Sequence, residues 1–336
     1  MAAEQDTGAA AAIPACVGDF TVPYGDIGDP LLRRELLPRY RAAGVHFVSL
    51  SVSGDGPDAG IVPTLRRIAG IRSQIQAEPD VYAMVRSVDD IFAARRQGRL
   101  AVMFNFQGIG ALGDDAGLIE SYYQLGVRHM LLAYNHASAA ADGCLEERNG
   151  GLTAFGRRLI TAMNRVGMIV DCAHTGRRAT REIMDASTQP VIISHTNAAA
   201  IHEHPRGVTD EQIRACAAQG GVVGITGISA MMNARKDGSV AAYVEHIDHC
   251  VQLVGADHVG ISLDYVYDNA ATFRYFVALS GGALPKGLNF TVDMPMVEPE
   301  RFPQIAAALA QRGYPQPAVD KILGLNWLRV ARTVWR

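Results

Sequence analysis

The sequence predicts an α/β protein, a single (β/α)8 TIM barrel, from three observations. Eight short, apolar, β-prone runs can be counted, helical patterns with apolar residues three and four apart lie between most of them, and 336 residues is a normal length for one such barrel. An open, doubly wound sheet is the alternative, but no Gly-x-Gly-x-x-Gly follows the first run, which disfavours a dinucleotide-binding sheet. The predicted strands are Cys16–Val22, Val45–Ser51, Ala101–Phe106, His129–Tyr134, Met168–Ala173, Val191–Ser194, Val222–Thr226 and His258–Leu263.

The helices are indicated by their apolar spacing and by residues suited to their ends. Thr153 and Thr209 stand where N-caps are expected, because a hydroxyl can accept a bond from a free N–H of the first helical turn. Glycines suited to a left-handed C-cap follow four of the patterns, at Gly44, Gly126, Gly167 and Gly220. The predicted helices are Leu31–Ala43, Asp115–Leu125, Thr153–Val166, Arg177–Ala186, Asp210–Gln219 and Ala241–Val254.

The chain is predicted to form one domain. Residues 1–15 are alanine-rich without a basic start or a sustained apolar stretch, so we expect a disordered tail rather than a signal peptide. Residues 16–336 form the barrel and its C-terminal helices. The poorly periodic segment Tyr267–Met296 is expected to be a loop over the catalytic mouth, and Glu298–Arg336 to form two or three helices that close the barrel.

The composition of the chain limits the kinds of molecule that it is expected to bind. Apolar residues make up 49% of the chain, enough for a large core, and a net charge of −3 gives no electrostatic case for nucleic acid or an anionic membrane. No apolar run approaches the length of a membrane span. Five cysteines without a Cys-x-x-Cys pair indicate reduced thiols and a cytoplasmic location. The low charged fraction, 19%, is compatible with a homodimer interface.

Two histidines occupy matching positions, one strand-helix unit apart. His174 ends the run Asp171-Cys172-Ala173-His174, and His195 ends the run that begins at Val191. Neighbouring parallel strands lie about 4.8 Å apart, so two such imidazoles can reach one metal ion. A lone buried histidine is usually a core residue, but two in matching positions predict a metal or catalytic site.

Other polar residues stand at the same ends of predicted strands, where barrel active sites gather. Asp264 follows the last strand and could bind a metal or take a proton from metal-activated water, although a capping or loop hydrogen bond is the simpler alternative. Arg206 lies on the loop after His195, and its planar guanidinium suits a carboxylate. His202 and His204 on that loop are interpreted as surface residues. The remaining strand-end residues are Asp19, Thr21, Gln107, Tyr134, Asn135 and Thr226.

Several motifs, in order and over about residues 16 to 330, resemble those of the membrane (renal-type) dipeptidase family, peptidase M19 of the amidohydrolase superfamily, in a bacterial branch. The matching segments are 123–128 (YQLGVR), 151–157 (GLTAFGR), 164–168 (NRVGM), 171–174 (DCAH), 190–195 (PVIISH), 205–210 (PRGVTD), 248–249 (DH) and 259–264 (VGISLD). The resemblance implies a (β/α)8 barrel with two zinc ions at its mouth. It further implies that His174 and His195 hold one zinc, that Asp264 contacts the other and acts as acid and base, and that Arg206 binds the substrate carboxylate.

The chain departs from the family pattern at four positions. The family's first-strand His-x-Asp is replaced by Asp19 and Thr21, its bridging glutamate by Gln107, and its substrate-contacting histidine by Tyr134, with His136 two residues on. A bridging carboxylate offsets the repulsion between two dications about 3.5–4 Å apart, which a neutral amide does poorly. We therefore expect one zinc ion rather than two, bound by His174, His195 and Asp264, with help from Asp19.

The sequence thus predicts a metal-dependent hydrolase acting on a small dipeptide-like or amide substrate with a free carboxylate. Arg206, Tyr134 and Gln107 are its expected substrate contacts. One alternative is a metal-free or inactive member of the fold that binds a small molecule. Another is an amidohydrolase with a different reaction, such as lactam opening or deamination, since fold alone does not separate these.

Overall fold

The computed structural model describes residues 15–23, 30–56, 59–279, 282–285 and 287–336. Within them, nine parallel strands form one sheet; eight, in the order β1-β2-β4-β5-β6-β7-β8-β9, make a nearly closed TIM barrel, and β3 pairs with the start of β4. The strands are Gly18–Val22 (β1), Phe47–Gly54 (β2), Tyr82–Met84 (β3), Leu100–Gln107 (β4), Val127–Leu131 (β5), Ile169–Asp171 (β6), Ile192–Thr196 (β7), Val222–Ile225 (β8) and Val259–Ile261 (β9).

Helices separate the strands, as expected for this fold. They are Pro30–Ala42 (α1), Ile61–Ala77 (α2), Val88–Arg96 (α3), Leu118–Leu125 (α4), Ala154–Val166 (α5), Arg177–Ala186 (α6), Asp210–Ala218 (α7), Ser229–Met232 (α8), Val240–Val254 (α9), Asn269–Leu279 (α10), Phe302–Gln311 (α11), Gln316–Asp320 (α12) and Asn326–Val334 (α13). Short 3-10 turns cover Ala256–His258 and Pro299–Arg301, and a π-helical turn, Lys321–Leu325, precedes α13. None of the helices in the described part of the chain is both long and apolar enough to cross a membrane.

The predicted elements are confirmed with small shifts at their ends. Each of the eight predicted strands overlaps a barrel strand, and the hydroxyls of Thr153 and Thr209 accept the capping bonds expected of them. The three-residue strand β3 was missed, helices α2, α3 and α8 are absent from the predicted helices, and helix α10 lies within the segment Tyr267–Met296 that was expected to be a loop. The predicted tail, apart from Ala15, lies outside the described residues.

The C-terminal helix closes the amino end of the barrel. Trp327 of α13 is fully buried, stacks on Phe20 of β1 with ring centroids 4.5 Å apart, and donates its indole N–H to the carbonyl of Ile261. It packs in a cluster with residues at the starts of several strands, including Phe47 and Ile192. The candidate functional site lies at the opposite end of the barrel, where the strands have their carboxyl ends.

Candidate active site

A cavity of about 360 Å³ lies at the carboxyl ends of the strands, within the size range of small-molecule sites. Five residues predicted from the sequence line it: Gln107, Tyr134, His174, Arg206 and Asp264. The structure thus brings most of the predicted site together around one cavity, at the end where barrel enzymes carry their chemistry.

The two histidines face each other. Their Nε2 atoms lie 2.8 Å apart, and both side chains are buried. His174 Nδ1 donates to the side-chain oxygen of Asn135 at 2.7 Å, which leaves Nε2 as the acceptor of the contact with His195. His195 Nδ1 lies 2.7 Å from the hydroxyl of Ser194 and 3.3 Å from that of Thr21. These partners orient both Nε2 atoms toward one point.

Both imidazoles are neutral near pH 7. Burial lowers the pKa of His195 to about 3, and the nearby positive charge of Arg206 acts in the same direction. Burial likewise holds the pKa of His174 well below its usual value, again with help from Arg206 and from His195. Neutral imidazoles are the form that binds a metal.

A single buried carboxylate ties the two histidine-bearing strands together. Asp171 Oδ1 accepts the backbone N–H of Ala173, just before His174, and that of Ser194, just before His195, both at 3.0 Å. Its Oδ2 lies 3.1 Å from Nδ1 of His129 in the barrel interior. Burial acts to raise the pKa of Asp171, but its interactions with His129, His195 and Ser194 together outweigh burial and hold the pKa below the usual value. Asp171 therefore remains a carboxylate that fixes the site.

Arg206 and Asp264 are two of the five charged residues that line the cavity, the others being Asp55, Arg67 and Arg274. The guanidinium of Arg206 donates to the carbonyl of His195 at 3.1 Å, its side chain is 5% exposed, and it forms no ion pair with a carboxylate in the described part of the chain. Burial raises the pKa of Asp264 to about 7, although the positive charge of Arg206 opposes that rise. Asp264 can therefore exist in either protonation state near neutral pH, as a general acid and base requires.

Strained backbone marks the same cavity. Three lining residues, Asn135, His174 and Asp264, have left-handed φ values of 61°, 63° and 54°; they are half of the six non-glycine residues with positive φ in the described chain. Such conformations cost free energy and concentrate at functional sites. The pairing of β7 with β8 also shifts register between Ile193 and Thr196, next to His195.

Asp19 and Thr21 support the barrel around the site. The Asp19 carboxylate accepts hydrogen bonds from the backbone N–H groups of Thr21 and Leu263 and from the hydroxyl of Tyr40. The bond to Leu263 links β1 to the chain just after β9, where the barrel closes. Burial raises the pKa of Asp19 to about 8, against the effect of these hydrogen bonds.

Gln107 and Tyr134 also line the cavity, the first held by a hydrogen bond and the second by ring stacking. The Gln107 amide donates to the hydroxyl of Ser51 at 2.8 Å, and the ring of Tyr134 stacks on His174 with centroids 4.0 Å apart. His136, which the sequence offered as a replacement for Tyr134, is instead exposed and lies 3.7 Å from a carboxylate oxygen of Glu146.

The donor set fits one metal ion better than two. The Nε2 atoms of His174 and His195 are two neutral nitrogen ligands of the kind that zinc prefers. A second ion would need carboxylates where this chain has Thr21 and Gln107. Among the residues that the structure describes, no three His, Cys, Asp or Glu side chains are arranged to hold an ion. The two Nε2 atoms, 2.8 Å apart at hydrogen-bond distance, are the nitrogen donors that this site could offer an ion.

Sequence reasoning missed several supporting residues and misjudged one. Asp55, just after β2, accepts backbone N–H bonds from Ile109, Gly110 and Tyr134, and so joins three segments of the mouth. The interpretation of His204 as a surface residue is wrong: it is 2% exposed and accepts the N–H of Arg206 at 3.1 Å. The only sequence signals for these contacts were position after a strand and proximity to Arg206.

Comparisons with known proteins identify relatives of this chain. A sequence model of the membrane dipeptidase family, peptidase family M19, matches residues 37–336. Dipeptidase tcpJ of Claviceps purpurea is 28% identical over 279 residues, which are 82% of this chain and 61% of that protein. An uncharacterized protein in the pqqA 5' region of Klebsiella pneumoniae is 30% identical over 260 residues, 74% of this chain and 88% of that protein.

A solved structure extends the likeness to the whole fold. An amidohydrolase from Pseudomonas aeruginosa is 31% identical and superimposes with a TM-score of 0.86, covering 96% of this chain and 97% of that one. The chain spans about three fifths of the length of the Claviceps dipeptidase. Since the family match covers most of the residues and includes both histidines, Arg206 and Asp264, the chain belongs to the membrane dipeptidase family, peptidase family M19.

Proposed function

We propose that this protein hydrolyses a small dipeptide-like or amide substrate that carries a free carboxylate. The observation that carries the proposal is Arg206, a buried cation with no carboxylate within ion-pair distance among the described residues, on the same cavity as His174 and Asp264. A buried guanidinium needs a counter-charge, and a substrate carboxylate supplies one in bidentate geometry. The dipeptidase names of several relatives support the same class of substrate.

The residues divide the chemistry among themselves. Arg206 binds the substrate carboxylate and thereby holds the amide beside the two imidazoles. Asp264, whose pKa lies at about 7, accepts a proton from the attacking water and returns it to the departing amine. One zinc ion held by His174 and His195, with Asp264 as the predicted third ligand, would polarise the amide carbonyl and make water a better nucleophile. Gln107 and Tyr134 shape the walls of the cavity.

The protein is further proposed to work in the cytoplasm, as its cysteines predict. All five are free thiols, and each lies within the described residues. Burial raises the pKa of Cys216 and of Cys250 to about 12, so both remain protonated and unreactive.

Metal content and hydrolysis test the proposal together. Tag-free protein grown with zinc is expected to carry about one equivalent by plasma mass spectrometry, and His174→Ala to lose it. Arg206→Leu is expected to raise KM roughly 10- to 100-fold for dipeptides with a free carboxyl terminus, because a charge-assisted bond is lost. Dipeptide amides, which lack that charge, are the control and should not respond.

Three other results of these measurements would contradict the proposal or change it. No metal and no hydrolysis across the dipeptide panel would favour a small-molecule binder. Two equivalents of metal would overturn the interpretation of Thr21 and Gln107. Cleavage of lactams or deamination of amines, with dipeptides untouched, would keep the enzyme and change the reaction.

A further inference from the structure

The mouth cavity combines apolar residues with charged ones, which include Asp55, Arg67 and Arg274 as well as Arg206 and Asp264. Arg206, His174 and Asp264 line one part of it. Five residues from the segments that follow β8 and β9 line another, and we call them the apolar wall: Ile228, Met231, Phe276, Phe290 and Met294.

The aromatic members connect the reacting groups to the wall. Tyr134 stacks on His174 at 4.0 Å and lies parallel to Phe276 with centroids 6.1 Å apart. Phe276 is 5.9 Å from Phe290, which is 6.2 Å from the ring of His204. Since His204 accepts the N–H of Arg206, this arc of rings starts at the imidazole pair and returns to the arginine.

The wall is separate from the packing that holds the barrel together. Ile228, Met231 and Met294 form their own hydrophobic cluster, with Phe290 packed against it, apart from the two clusters that fill the barrel. Phe276 and Phe290 remain partly exposed toward the cavity. Apolar surface beside a few convergent polar groups is the usual composition of a small-molecule site. Methionines suit such a surface because their flexible side chains adapt to differently shaped ligands.

We propose that the apolar wall is a subsite for an aromatic or long aliphatic side chain of the substrate. The inference rests on the proposed role of Arg206 and makes it more specific: the substrate class is a carboxylate with a large apolar group. Burying a phenyl group on this wall is expected to strengthen binding roughly 10- to 100-fold over the carboxylate alone.

Binding of probes without a hydrolysable bond tests the subsite independently of catalysis. The affinities of propanoate, 3-phenylpropanoate, 5-phenylpentanoate and 3-phenylpropan-1-ol for the zinc-supplied full chain are measured by calorimetry. At least one phenyl carboxylate is expected to bind roughly 10-fold or more tightly than both propanoate and the phenyl alcohol. Phe290→Ala is expected to remove most of that advantage without changing propanoate binding, and Phe290→Leu to retain part of it.

The binding experiment includes a matched control variant, and three outcomes would contradict the proposal. Phe155, a partly exposed phenylalanine on α5, gives the control Phe155→Ala, which should leave every affinity unchanged. Equal binding of propanoate and the phenyl carboxylates would overturn the subsite while leaving the carboxylate role of Arg206 intact. Tight binding of the phenyl alcohol with no preference for carboxylates would instead overturn the role of Arg206. Failure of every probe to bind would overturn both.

Discussion

At the scale of single residues, the site combines groups that burial holds in particular charge states. Two imidazoles are kept neutral, and the buried guanidinium of Arg206 has no carboxylate of the described chain within ion-pair distance. The sequence predicted these residues from their positions at strand ends. It could not predict Asn135 and Ser194 as the groups that orient the rings, because hydrogen-bond direction depends on side-chain geometry that no spacing rule encodes.

His246 shows how burial of a histidine links stability to pH. It is fully buried on α9, accepts the N–H of Ala198 and lies 2.8 Å from the carbonyl of Met232. Burial lowers its pKa to about 4 from a usual 6.5. Because the unfolded chain binds the proton more readily, the stability contributed by neutral His246 is fully present above pH 6.5. It is lost as the pH falls toward 4, by up to about 3 kcal/mol.

Urea unfolding of the wild type and of His246→Gln between pH 7.5 and 4.5 measures this contribution. The variant is expected to be less stable at pH 7 and to lose less stability on acidification, so that the two curves converge. The other buried histidines affect both proteins alike and cancel in the difference. Parallel curves would show that His246 is not the titrating group.

At the scale of elements, the strands were predictable because each barrel strand is an apolar run between turn residues. Strand β3 was missed because three residues carry no usable periodicity, and it exists through its pairing with Leu100–Val102. Helix α10 was missed because its apolar residues do not form one stripe. Phe273 and Phe276 line the mouth cavity rather than the barrel core. Strand β3 and helix α10 are thus elements whose side chains serve another element or the site.

The tie between β6 and β7 is an element-scale feature that can be tested through Asp171. Asp171→Asn keeps the shape but removes the charge that faces His129 and weakens acceptance of the N–H groups of Ala173 and Ser194. Breaking a buried, paired carboxylate is expected to lower the free energy of unfolding by about 3 kcal/mol. Amide hydrogen exchange at Ala173 and Ser194 should accelerate as well.

The same substitution on an exposed helix surface is the control. Asp185→Asn on α6 should change stability by less than about 0.5 kcal/mol. If Asp171→Asn costs no more than that, Asp171 does not hold the histidine-bearing strands in place.

At the scale of the whole molecule, the barrel separates stability from function between its two ends. Trp327 fills the amino end, whereas the carboxyl end carries the cavity, the charged groups and the strained backbone. The resemblance to a known family predicted this division and most of the site residues. It did not predict the apolar wall, because Phe276, Phe290 and Met294 lie in a segment whose packing is set by contacts rather than by pattern.

The indole of Trp327 packs against two glycines of the barrel strands, Gly260 on β9 and Gly224 on β8. A Cβ on Gly260 would lie 2.5 Å from the indole Cε2, whereas one on Gly224 would collide first with the backbone carbonyl oxygen of Ser194 and would also lie 2.8 Å from Cζ2. Gly260→Ala is therefore expected to destabilise the fold by about 1–3 kcal/mol through overpacking. A double-mutant cycle with Trp327→Leu, followed by thermal or urea unfolding, identifies the cause: the cost of Gly260→Ala should fall sharply once the indole is gone. An equal cost in both backgrounds would mean that the strand backbone, and not the ring, excludes the methyl group. Because the change lies at the end of the barrel opposite the site, folded Gly260→Ala protein should bind carboxylate probes as the wild type does.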